Sequence, residues 1–127
     1  MKNVVPVSRE ENENLVPTAW RQVFIEIVDA FARGDFQLNY VSKDVEKISK
    51  EDAEMIEDNL RTYGANLVPL PEESWSTSVC QWVSGYWDVM VDLYTVEEGK
   101  SDLVLSARVF EVKANVYKFQ VNSIHVP

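Results

Sequence analysis

Apolar residues recur at helical spacing early in this chain and at alternate positions later, and that switch of period sets the expected architecture. Trp20, Phe24, Ile27, Val28 and Phe31 make one apolar stripe over Pro17 to Arg33. Pro17 suits a first helical turn, where its missing N–H is no loss, and Gly34 suits a left-handed C-cap. Asp35 to Val41 alternates Phe36, Leu38 and Tyr40 and reads as a short strand or a connector. Ala53, Ile56, Leu60 and Tyr63 form a narrower stripe over Lys50 to Tyr63, which predicts a second, more polar helix. Ser49 and Asp52 resemble a capping box at its start, and Gly64 is the expected C-cap.

Leu67 to Pro71 carries two prolines and reads as a rigid extended connector. The remainder alternates with period two. A strand is expected at Val79 to Val83, then a tight Ser84-Gly85 turn, then longer strands at Tyr86 to Val96, Asp102 to Val112 and Val116 to Val126. Gly99 and Asn115 supply the turn residues between them. If both later turns are two-residue loops, Trp87, Val89, Val91 and Leu93 share a face with Val104, Phe110, Tyr117, Phe119 and Val121, ready for the helices to cover. The opposite face then carries Tyr86, Asp88, Met90, Asp92 and Tyr94 beside Leu103, Leu105, Ala107 and Val109. A one-residue change in a turn exchanges these partners. The stretch from Leu103 to Val112 is apolar on both faces, as a strand inside a sheet with something over each side would be. The expected fold is α+β, two N-terminal helices packed on a four- to five-stranded antiparallel sheet. Residues 17–127 form the domain, and residues 1–16 form a flexible or extended arm.

Composition adds to this picture. At 127 residues the chain fits one domain, and its 46% apolar content supports a real core. Twelve basic and 21 acidic residues leave a net charge of −9. That balance disfavours nucleic acid and anionic membrane surfaces and favours a basic protein partner. The lone Cys80 excludes an internal disulfide and a cysteine-based zinc site. Neither a signal peptide nor a membrane span is visible, so a cytoplasmic location is expected.

Catalytic motifs are missing. There is no GxSxG, no glycine-rich phosphate loop and no HExxH, and the single His125 stands near the end of the chain. Asp88 and Asp92 are ~13 Å apart on one strand face, too far for a glycosidase pair. No metal or cofactor is implied. The tryptophans at 75, 82 and 87 have two readings: packing beneath the helices, or an exposed binding cluster.

Ile25 to Phe36, IEIVDAFARGDF, resembles the first helix of NTF2-like (SnoaL-like) domains, which pair N-terminal helices with a curved antiparallel sheet. That likeness implies a ligand pocket between helices and sheet, with Tyr40, Tyr63, Tyr117 and Asp92 as candidates. LPEESW, YWDVMVDLYT and EEGKSDLVL resemble a family of uncharacterised small bacterial domains. In type the chain is similar to bacterial immunity proteins, which cover the active site of a toxin, often a basic nuclease, with acidic residues. The leading expectation is therefore a non-enzymatic binding module. Asp88, Asp92, Glu97, Glu98 and Asp102 would meet basic groups, while Trp82 and Tyr86 anchor the contact. The alternatives are the NTF2-like small-ligand binder or enzyme, and a homodimer that buries the second sheet face.

Overall fold

The computed structural model of the protein describes residues 4–127, so the first three residues of the expected arm lie outside the described residues. The chain runs β1 (Asn14–Leu15), α1 (Thr18–Ala32), α2 (Lys50–Tyr63), a short 3-10 helix (Glu72–Ser76), β2 (Val79–Val83), β3 (Tyr86–Thr95), β4 (Gly99–Lys113) and β5 (Val116–His125). The five strands form one antiparallel meander in sequence order. The α+β class and the two helices on an antiparallel sheet are as the periodicity predicts.

Local chemistry explains both helices. Ser49 accepts the Asp52 N–H at 3.2 Å, and Gly64 closes α2 in the left-handed region at φ +81°. Pro17 stands just before α1 as its N-cap, and Gly34 follows the end of the helix at φ +91°. Trp20, Phe24, Ile27, Val28 and Phe31 are all buried. Trp20 meets Trp87, Tyr117 and Phe119 edge-on, and Phe24 meets Phe119 at 5.6 Å. This aromatic layer glues α1 to the sheet. Asp35 to Val41 is a string of turns, and Leu38 enters the core with a positive φ.

The register corrects the expected face assignment on β4. Trp87, Val89 and Val91 oppose Val109, Ala107 and Leu105. The turn between β3 and β4 holds three residues, because Thr95 pairs with Gly99, and one residue beyond a two-residue loop inverts the faces of β4. Leu103, Leu105, Ala107 and Val109 therefore lie in the core, and Phe110 goes to the outer face beside Tyr86. The last turn has two residues as expected, with Lys113 opposite Val116. An irregularity between Glu111 and Lys113 then shifts the pairing again, so Tyr117, Phe119 and Val121 still face the helices.

The 3-10 helix was not foreseen, and it completes the sheet where β2 runs out. Ser78 Oγ accepts the Asp92 N–H at 2.9 Å, and Ser74 Oγ donates to the Asp92 carbonyl at 2.7 Å. Both serines are buried, so they satisfy a strand backbone that has no neighbour there. The arm is also seated. Val5 and Thr18 exchange hydrogen bonds, and β1 pairs with β2 as an edge strand.

Candidate functional site

The seven residues expected to bind a partner occupy three separate places. Trp82 opposes Trp87 and so belongs to the helix-side face, whereas Tyr86 opposes Val83 on the outer face. Asp88 and Asp92 share that outer face with Tyr86, but basic residues stand against them. Arg108 Nε lies 3.8 Å from Asp88, and Lys100 Nζ lies 4.0 Å from Asp92. Arg108 also covers the Tyr86 ring at 4.6 Å. The outer face is therefore a mixed-charge surface.

Glu97, Glu98 and Asp102 gather at the C-terminal end of α2. Glu97 accepts the Asn66 N–H at 2.9 Å and the Asn66 amide at 2.7 Å, and these bonds hold its carboxyl below the usual range. The Tyr63 hydroxyl donates to Glu98 and accepts the Asp102 N–H at 3.2 Å. The Glu98 bond, the largest influence, pushes the Tyr63 hydroxyl above its ordinary value.

The four residues named for an internal pocket do not converge. Tyr40 is 82% exposed, Tyr117 packs in the aromatic layer, Asp92 is on the outer face and Tyr63 is at the end of α2. Large buried side chains from α1 and the sheet fill the space between them. His125 Nδ1 pairs with Ser123 Oγ at 2.8 Å. No carboxylate bonds the ring among the described residues, so the orienting member of a triad is not in place. Among the described residues no three acidic, histidine or cysteine side chains gather as a metal site would require. No helix among them is long and apolar enough to cross a membrane.

One feature that residue-by-residue reading missed is a trough between the end of α1 and α2. Two adjoining clefts of about 280 and 340 Å³ share Gly34, Phe36 and Glu57. Phe31 and Phe36 stack at 5.8 Å in its floor, joined by Leu60 and Leu67. The 34–40 turn that forms one wall is fixed, because Asp35 accepts both the Asn39 and the Tyr40 N–H at 3.0 Å. Lys50, Glu54 and Glu57 line the opposite wall, and neither glutamate has a hydrogen-bond or ion-pair partner among the described residues. Arg61 at the far end already pairs with Asp58. The i, i+3 spacing of Glu54 and Glu57 on a helix signals one shared side, but the wall opposite them is set by tertiary packing.

A second feature surrounds Arg9. Its guanidinium lies 5.2 Å from the Trp82 ring and 5.3 Å from the Trp87 ring, and it pairs with Glu111. Ser8 accepts the Trp87 indole N–H at 2.8 Å. Cys80, close to this corner on β2, is buried, and burial pushes its thiol up to about 12.

No curated protein and no solved structure matches the chain. A family model described as a domain of unknown function, DUF7668, matches residues 28–127, from the last turns of α1 through β5. With a match over most of its length, the chain belongs to the DUF7668 family of uncharacterised domains.

Proposed function

We propose that this domain is a non-enzymatic protein-binding module of the immunity-protein type, which holds a basic protein partner in a cytoplasm and occludes that partner's active surface. The observation that carries the reading is the trough beside α2, with unpartnered Glu54 and Glu57 above an apolar floor of Phe31, Phe36 and Leu60. Such a shape suits a lysine or arginine side chain. The aliphatic stem covers the rings, and the charged head meets the carboxylates. The net charge of −9 steers a basic partner toward this surface at long range. Glu97, Glu98 and Asp102 extend the acidic surface past the end of α2. Asp88 and Asp92 contribute less, because Arg108 and Lys100 stand against them.

The test is a tagged capture from source lysate at low and high salt, read by native mass spectrometry, followed by association kinetics with the captured protein. A single basic protein, held at low salt and released at high salt, is expected. The double change Glu54→Lys with Glu57→Lys should slow its association by about tenfold or more, while Asp88→Asn with Asp92→Asn has a smaller effect. A clean monomer or homodimer, or association rates indifferent to the Glu54 and Glu57 reversal, would overturn the reading.

A further inference from the structure

Arg9 occupies a notch whose walls come from β2, β3 and β4, and the neighbouring Ser8 carbonyl accepts the Trp87 indole N–H. Trp82 and Trp87 face each other across the β2–β3 hairpin with ring centroids 4.6 Å apart and planes tilted by 57°. The guanidinium sits almost equally far from both rings, at 5.2 and 5.3 Å. Glu111 closes the third side. Its other carboxylate oxygen accepts the Asn115 N–H at 3.0 Å, so the β4–β5 turn holds the carboxylate in position independently of Arg9. Tyr117, opposite Glu111 on β5, packs edge-on against Trp87 at 5.9 Å and backs the notch. Two indole faces and a fixed carboxylate are the chemistry that recognises a guanidinium. The position is open to solvent, since the Arg9 side chain is 55% exposed. Trp82, Trp87, Glu111 and Tyr117 all lie inside the stretch matched by the family model, and Arg9 lies outside it.

We infer that the notch of Trp82, Trp87 and Glu111 is a binding site for an arginine side chain of a protein partner, and that Arg9 fills it in cis in the free chain. The site itself follows from the notch alone; that its ligand belongs to a basic protein rests on the function proposed above. Arg9 is then an internal competitor, which an incoming arginine must displace. A neutral residue at position 9 opens the site.

The experiment uses the full chain with Arg9→Ala and a titration of N-acetyl-arginine methylamide, followed by the indole N–H signals of the four tryptophans. Saturable shifts confined to Trp82 and Trp87 are expected in the variant, with binding at least about fivefold weaker in the parent chain. The neutral citrulline analogue should not saturate, and adding Glu111→Gln should weaken the arginine probe by about fivefold or more. Arg9→Gln, which keeps most of the side-chain stem, gives the same readout if alanine loosens the arm. Absence of saturation in both variants, equal binding of the citrulline analogue, or equal binding by the parent chain would overturn the inference. The probe needs no partner. Probe binding without capture of any basic protein would sink the proposed function alone, and capture without probe binding would sink the notch alone.

Discussion

Trp82 and Tyr86 lie on opposite faces of the sheet, although both belong to one hairpin closed by a two-residue turn. Val83 pairs with Tyr86 and Trp82 pairs with Trp87, so the hairpin sends the two rings in opposite directions. Their roles differ accordingly. Trp82 packs against Trp87 and supports the Arg9 contact, while Tyr86 contacts Phe110 and Arg108 on the outer face. Trp82→Ala should cost about 2–3 kcal/mol, because it opens a gap beside a buried ring. Tyr86→Ala should cost about 1 kcal/mol, the scale of one aromatic pair and one cation–π contact at a half-exposed site. Urea denaturation of the two variants measures the difference. Equal losses would contradict the assignment of faces.

Ser78 supports a bond that no neighbouring strand can make. Its hydroxyl accepts the Asp92 N–H at 2.9 Å and also meets Ser74 Oγ at 3.1 Å, all within a buried corner. Ser78→Ala removes the acceptor and leaves a strand N–H unpaired. The expected loss is about 1–3 kcal/mol. Amide exchange at Asp92 should accelerate more than at Val89, which pairs with Ala107 of β4 inside the ladder. Unchanged exchange at Asp92 would show that the serine knot does not hold this end of β3.

How far the sequence could be read depended on whether a signal was local. The Ser49 cap, the Gly64 stop and the stripe of Ala53, Ile56 and Leu60 lie within one helix and were legible. The face of Phe110 was not. It depends on a three-residue loop that inverts β4 beyond it, and the irregularity after Glu111 then resets the faces of β5. The expected acidic site suffered in the same way. Asp88 and Asp92 share a face as alternation requires, but the basic residues that stand against them come from β4, whose register the sequence left open. The contact of Arg9 with Trp82 spans most of the chain, and nothing local to SREEN announces it.

Cys80 should resist thiol reagents in the native protein. Burial disfavours the thiolate and pushes the thiol up to about 12, with the Asp88 charge adding to the shift. At pH 8 the reactive thiolate is therefore almost absent from the folded chain. A disulfide-exchange reagent should react slowly in buffer and at once in denaturant. The sign for stability follows from the same shift. The unfolded thiol ionises near pH 9, so the unfolded state binds fewer protons than the folded one above that pH. The contribution of this group is fully present below pH 9 and is lost as pH rises toward 12. Rapid native labelling at pH 8 would place Cys80 at the surface.

Tyr117 reports on whether Arg9 occupies the notch. Burial raises its hydroxyl above the ordinary value of 10, Glu111 raises it further, and Arg9 lowers it. Arg9 and Glu111 thus pull in opposite directions, and removing either has a fixed sign. Arg9→Ala withdraws a positive charge that favours the phenolate, so the hydroxyl should titrate at higher pH than in the parent chain. Glu111→Gln withdraws a negative charge and should move it lower, provided that Arg9 stays in place. If Arg9 leaves with its partner, the two changes offset and the shift shrinks. The double variant therefore separates a seated guanidinium from a loose one. A carbon-labelled tyrosine titration resolves Tyr117 from the other four tyrosines. A downward shift in Arg9→Ala would mean that the guanidinium does not act on Tyr117 in the folded chain.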